Sequence, residues 1–166
     1  MTALAAPGNN TGIKAEVSIE INAEPAIVWD ALTNPRKIKQ YFFGTHTETD
    51  WQVGSPITFA GEWDGKKYKD KGTILTNDHL HQLQYTYWSS MGGTEDKPEN
   101  YVVISYKLTG KGASTLLEIT QENIPNEKTR KHSEDNWNML LVSLKEYIEK
   151  GSELSTEEDL DQLGGE

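Results

Sequence analysis

The strongest constraint on this chain is a helix-period stripe at its C-terminal end that follows a long run of strand-length segments. Trp137, Leu141, Leu144 and Ile148 fall at i, i+4, i+7 and i+11, and Leu140 and Tyr147 widen the stripe. A helix with this stripe must lay one face against something apolar. Lys150 and Gly151 follow its last apolar residues, which predicts that it ends there, with a cation near the negative end of its dipole.

The surface it covers is legible upstream. From Ile13 to Asn22 the chain alternates without a break, with Ile13, Ala15, Val17, Ile19 and Ile21 on one face and polar residues on the other. That is a half-buried strand. Pro25 suits a first helical position, and Ile27, Val28, Ala31 and Leu32 supply a short stripe, so a helix is expected from Pro25 to Leu32. Thr33-Asn34-Pro35 interrupts it, because a residue before proline leaves helical geometry, and Pro35 starts a second short helix through Ile38 to Tyr41.

The middle of the chain is strand-like segments divided by turn chemistry, such as Val53-Gly54, Asp64-Gly65, Thr76-Asn77-Asp78 and Gly92-Gly93. Ile57, Phe59 and Trp63 share one parity. Leu83, Tyr85 and Tyr87 share another; Val102, Ile104, Tyr106 and Leu108 a third; Thr115, Leu117 and Ile119 a fourth. With the first strand, one near Thr47 to Trp51 and one near Tyr68 to Thr76, about seven strands result, and short turns imply an antiparallel meander. The expected fold is α+β: a curved antiparallel sheet gripping one long helix, with two short helices after the first strand. Such an arrangement leaves room for a cavity between sheet and helix.

Composition narrows the function. The 166 residues suit one domain, here 13–150, preceded by a flexible 1–12 and followed by an acidic, disordered 151–166. There are 16 Lys and Arg against 26 Asp and Glu, a formal charge of −10, so phosphate backbones are repelled and no nucleic acid is expected. Without cysteine there is no disulfide, thiol nucleophile or Cys-ligated metal. No run of about 18 apolar residues spans a membrane, and the opening stretch lacks the features of a secretory signal, so a cytoplasmic protein is expected.

Several stretches resemble the activator of heat-shock protein 90 ATPase homologue-like family, within the START and birch-pollen-allergen-like helix-grip superfamily. They are Ala23-Glu24-Pro25-Ala26-Ile27-Val28-Trp29-Asp30-Ala31-Leu32-Thr33-Asn34-Pro35, Val53-Gly54, Leu83-Gln84-Tyr85-Thr86-Tyr87-Trp88, Ser114 to Thr120, and Trp137 to Lys145. The resemblance implies the helix-grip fold over residues 13–150. Its superfamily includes lipid carriers, hormone receptors, aromatic cyclases and chaperone partners. The family's name implies a heat-shock protein 90 homologue as a partner. Two departures stand out: Gly54-Ser55 where the family often has Gly-Gly, and Asn136-Trp137 where it often has Gly-Trp. The Asn136 side chain is expected to fill cavity space that a glycine would leave.

The strongest chemical feature is aromatic. Phe59, Trp63, Tyr85, Tyr87 and Trp137, with Leu141 and Leu144, fall on inward positions and are the expected lining for a small hydrophobic or aromatic ligand. Ordinary core is the alternative. His79 and His81 form an H-x-H pair but lack a third ligand, so they read as solvated at a strand end. Glu62 and Asp64 have the parity opposite to Phe59 and Trp63 and point outward. Lys66, Lys67, Lys69 and Lys71 read as a charged edge strand.

No phosphate loop, nucleophile elbow, metal set or cofactor motif is legible. A non-enzymatic binding module is therefore the first expectation and a co-chaperone-like protein the second. A cyclase- or hydrolase-like enzyme using Tyr85, Tyr87 or His81 ranks last, since an ordinary phenol is a poor base at neutral pH.

Overall fold

The structure, a computed structural model, describes residues 11–153. The expectations of a flexible 1–12 and an acidic tail over 151–166 fall almost wholly outside the described residues. In chain order the elements are β1 (Lys14–Ile21), α1 (Pro25–Thr33), α2 (Pro35–Tyr41), β2 (His46–Glu48), β3 (Pro56–Trp63), β4 (Lys66–Asp78), β5 (Gln82–Tyr87), a 3-10 turn (Pro98–Asn100), β6 (Val102–Lys111), β7 (Ser114–Glu122) and α3 (Glu127–Glu153).

The seven strands form one antiparallel sheet in the order β1-β7-β6-β5-β4-β3-β2. Every neighbour except β1–β7 is consecutive in sequence. The alternation of apolar residues places Ile57, Ile74, Leu83, Tyr85, Ile104, Tyr106, Leu108, Leu117 and Ile119 on the buried face. Over this face lies α3, about 40 Å long at 1.5 Å per residue. Its buried stripe is Leu140, Leu141, Leu144 and Ile148, flanked by the half-buried Trp137 and Tyr147.

The helix does not end at Gly151 as its sequence suggested. It runs to Glu153. A side chain at Gly151 would meet only open space, and its backbone is not left-handed, so it adds no terminating cap.

Between β1 and β2 the chain makes the two short helices. Asn34 serves both: its N–H donates to Asp30 O as α1 closes, and its side-chain oxygen accepts from Arg36 N at 3.1 Å as α2 opens. Pro35 then takes the first position of α2, where its missing donor costs nothing. An Asp30–Lys37 ion pair and a Tyr41 hydroxyl donating to Ala31 O at 2.9 Å lock the two helices together. At the far end, Ser143 Oγ donates to Tyr41 O at 3.0 Å and ties α2 to α3.

Two glycines are set by close approach rather than by turns. A Cβ on Gly61 would sit 2.5 Å from the Tyr68 hydroxyl, so the absent side chain is what lets the Tyr68 ring lie across β3 to reach Thr45. A Cβ on Gly72 would sit 1.6 Å from Thr86 O, backbone that cannot yield. Here β4 presses onto β5, just before the register shift between Ile74 and Thr76.

Gly72→Ala is therefore expected to destabilise the protein by on the order of 3 kcal/mol or more, read from the midpoint of chemical denaturation. Gly65→Ala, at a turn with open space around it, costs less, arising only from its left-handed backbone angle.

Candidate functional site

Sheet, short helices and long helix do not close completely where they meet. A crevice lies between α2, the inner face of β3, β5 and β6, and the N-terminal half of α3. Tyr41 and Phe42 wall it from the helical side, Ile57 and Phe59 from β3, Leu83 and Tyr85 from β5, Tyr106 from β6, and Leu140 from α3. Trp51, from the loop after β2, completes it. Its cavity volume is about 10 Å³. That is room for about one water, far below the roughly 300 Å³ of a small-ligand site.

The walls are a relay of aromatic rings. Phe59 stands 6.5 Å from Phe42 and 5.7 Å from Tyr85; Tyr85 meets Tyr106 edge-on at 5.7 Å, and Tyr106 meets Trp137 edge-on at 6.1 Å. The Tyr85 and Tyr106 hydroxyls share a 2.7 Å hydrogen bond, so each buried phenol is satisfied by the other. Burial raises all the phenols of this region, because an ionised phenolate would lose its water. Tyr41 and Tyr85 lie well above the ordinary value, and Tyr106 is pushed up to about 12.

Trp51 has φ of 65°, a left-handed backbone that a bulky residue adopts only under compulsion. The surrounding loop supplies it. Trp51 N donates to Thr49 Oγ1 at 3.2 Å, and Asn77 Nδ2 donates to Trp51 O at 2.8 Å. Holding a side chain there costs about 1–3 kcal/mol.

Six of the seven residues expected to form one lining separate into four groups. Phe59 and Tyr85 line the crevice. Trp137 backs Tyr106 and donates through Nε1 to Gln121 at 2.7 Å. Leu141 and Leu144 are buried in the core beneath α3 and do not line the crevice. Tyr87 lies behind Phe59, its ring 5.7 Å away, and its hydroxyl donates to Asp70.

Trp63 corrects the expectation outright: it is 62% exposed. It has the inward parity, but it sits at the tip of the β3–β4 hairpin, beyond the helical cover, where its ring meets Phe43 edge-on at 6.4 Å. Asn136 is likewise exposed, so it fills no cavity space.

Of the aromatic crevice residues, Tyr41, Phe42, Trp51 and Tyr106 are absent from the expected lining. Tyr106 carried a readable signal, since it shares parity with Ile104 and Leu108. Trp51 did not, because β2 is only three residues long and Trp51 belongs to the loop beyond it.

His79 and His81 occupy the turn between β4 and β5. His79 packs against the edge of Trp29, and His81 is exposed, so His81 has no place in the crevice. No cluster of potential metal ligands occurs among the described residues. Glu62 and Asp64 are exposed. On β4, Lys66, Lys67, Lys69 and Lys71 are exposed, and Lys71 pairs with Asp96. No helix among the described residues is long and apolar enough to cross a membrane.

The family model described as Activator of Hsp90 ATPase homolog 1-like protein matches residues 22–149. A solution structure of a protein from Cytophaga hutchinsonii is 46% identical, with a TM-score of 0.74 over 85% of this chain and 97% of that one. The Aha1 dimer from Colwellia psychrerythraea is 18% identical, with a TM-score of 0.63 over 82% of this chain and 96% of its own. CalU16 from Micromonospora echinospora is 20% identical, with a TM-score of 0.65 over 84% and 80%. No curated protein matches significantly.

The buried phenols make stability fall in alkali. An unfolded phenol ionises near pH 10, whereas Tyr41, Tyr85 and Tyr106 keep their protons to higher pH. Above about pH 10 the folded chain thus holds more protons than the unfolded one, and each phenol removes about 1.4 kcal/mol per pH unit until it ionises in the fold. Thermal unfolding from pH 8 to 11.5 should show a flat region followed by this decline, and Tyr85→Phe should reduce its slope.

Proposed function

Because the chain belongs to the Activator of Hsp90 ATPase homolog 1-like family, a helix-grip lineage, we propose that it is a binding module whose crevice takes a small hydrophobic or aromatic molecule. The observation that carries this reading is the Trp51 lid. A tryptophan held at φ of 65° across an aromatic crevice is a strained closure, and backbone strain of this kind clusters at ligand clamps.

The ligand replaces protein with ligand rather than filling a void. The cavity of about 10 Å³ admits no organic molecule until side chains leave it. Phe42 and Trp51 are the residues to move, since both lie outside regular elements and are only partly buried. The apolar ring that enters packs against the ring of Tyr85, which Tyr106 holds edge-on from behind.

A second reading rests on a different surface. Phe43 and Trp63 form an exposed edge-to-face pair, 54% and 62% exposed. Two neighbouring exposed aromatics suit a protein partner, and the family's description supports a heat-shock protein 90 homologue as that partner. On this reading the protein stimulates the chaperone's ATP turnover, and Trp63→Ser abolishes the stimulation while leaving the fold intact. ATP turnover unchanged at excess wild-type protein removes this reading.

The crevice reading is tested by titrating naphthalene and following the indole N–H signals of the five tryptophans by NMR. Trp51 is expected to shift saturably and Trp88 to remain in place. Trp51→Gly should speed uptake, by about tenfold for each 1.4 kcal/mol that displacing the indole costs. Shifts confined to Trp63, or none that saturate, overturn the reading.

A further inference from the structure

Beyond Phe59 the inner face of the sheet turns polar. Thr47 on β2 pairs in register with Phe59 on β3, and Phe59 with Asp70 on β4, so the three side chains project in a row from one face. Asp70 is 6% exposed. Its Oδ1 accepts from Ser90 N at 3.0 Å and from Ser90 Oγ at 3.4 Å, and its Oδ2 accepts from the Tyr87 hydroxyl. A carboxylate has about four acceptor positions, so one stays free on Oδ2.

Among the described residues no cation lies in ion-pair range of Asp70; its neighbour Lys71 pairs with Asp96 instead. On the other side of Phe59, Thr47 is 1% exposed and its hydroxyl finds no hydrogen-bond partner in the protein. The buried hydroxyl without a partner works against stability, and the buried carboxylate keeps one acceptor position that nothing in the protein fills. They flank one aromatic ring, about 10 Å apart at two strand spacings. That ring is also a wall of the crevice, standing 5.7 Å from Tyr85 within it and 5.7 Å from Tyr87 beside Asp70.

We propose that Thr47 and Asp70 form a polar subsite behind the Phe59 wall of the crevice, and that the ligand is a hydroxylated aromatic molecule whose ring takes the place of the Phe59 ring, which turns aside along with Phe42 and Trp51. One ligand hydroxyl donates to the free position on Asp70, and a second bonds to the unpartnered Thr47 hydroxyl. A benzene ring with two hydroxyls bridges the span, since two hydrogen bonds of about 2.8 Å leave roughly 4–5 Å between the ligand oxygens. The proposal rests on the reading of the crevice as a ligand site and adds the chemical class that the site selects.

The probes are resorcinol and m-xylene, of one shape and opposite polarity, titrated by NMR into the wild-type protein and into Phe59→Ala, which removes the ring the ligand replaces. In both proteins resorcinol is expected to bind at least about tenfold more tightly than m-xylene, as hydrogen bonds to buried polar groups predict. Thr47→Val should cut that preference several-fold without lowering the melting temperature, because it removes a hydroxyl that bonds to nothing in the fold. Asp70→Asn, checked for folding by its amide spectrum, should cut it further. Tighter binding of m-xylene overturns the polar subsite and leaves an apolar crevice standing. Binding of neither probe, even to Phe59→Ala, overturns both.

Discussion

One helix cannot cover the whole inner face of a seven-stranded sheet. An α-helix is about 10 Å across, and strands are spaced by about 4.8 Å, so α3 shields only part of the sheet's width. The rest of the molecule answers to that shortfall. The β1 and β7 side is sealed directly by the Leu141, Leu144 and Ile148 stripe of α3. The middle is sealed by α1 and α2, which Asn34 and Pro35 fold back over the sheet and which Tyr41 pins to α3. Past Ile57 and Phe59, where only the end of α2 reaches β2, the inner face carries Thr45, Thr47, Tyr68, Asp70 and Tyr87 in place of leucine and isoleucine.

The crevice sits at the boundary between these regimes. Its walls come from elements that meet at angles and cannot interdigitate fully, so rings rather than aliphatic chains fill the gap. Rings bring hydroxyls with them. Tyr85 and Tyr106 satisfy each other, Tyr41 reaches a backbone carbonyl, and Tyr87 reaches Asp70. The outcome is a layered interior, apolar beneath α3, aromatic at the crevice, and hydrogen-bonded beyond it.

Periodicity makes the first of these layers legible and loses force at the third. Pro25, Pro35 and the alternation from Ile13 to Asn22 report local backbone geometry, so α1, α2 and β1 form where the sequence places them. Alternation gives a side chain's face but not whether anything covers that face. Trp63 shows this, having the right parity and no helix above it. Leu141 and Leu144 show the converse: an inward position under α3 is core, and only the end of the sheet lined by α2 and the Trp51 loop opens into a crevice. Trp51 itself lies beyond a three-residue strand, too short for any pattern. Asp70 hides among Lys67, Lys69 and Lys71, where the charge run reads as an exposed edge although every second residue of β4 faces inward.

That last point bears on why the polar end exists. An apolar residue of similar volume at Thr47 would leave no unpartnered hydroxyl, whereas one at Asp70 would strip the Tyr87 hydroxyl and the Ser90 N–H of their acceptor. Fold stability therefore gives no reason for the Thr47 hydroxyl, while Asp70 ties β4 to Tyr87 and Ser90 and keeps one acceptor position spare. Tyr68 and Thr45 differ, because their 2.7 Å bond fixes the ring that Gly61 makes room for and so holds β2 against β4. Within one polar cluster, then, some members serve the architecture and others are surplus to it. The Thr47 hydroxyl and the spare Asp70 acceptor flank the very ring that walls the crevice, and groups that add nothing to stability at such a place are where a natural protein has room for specificity.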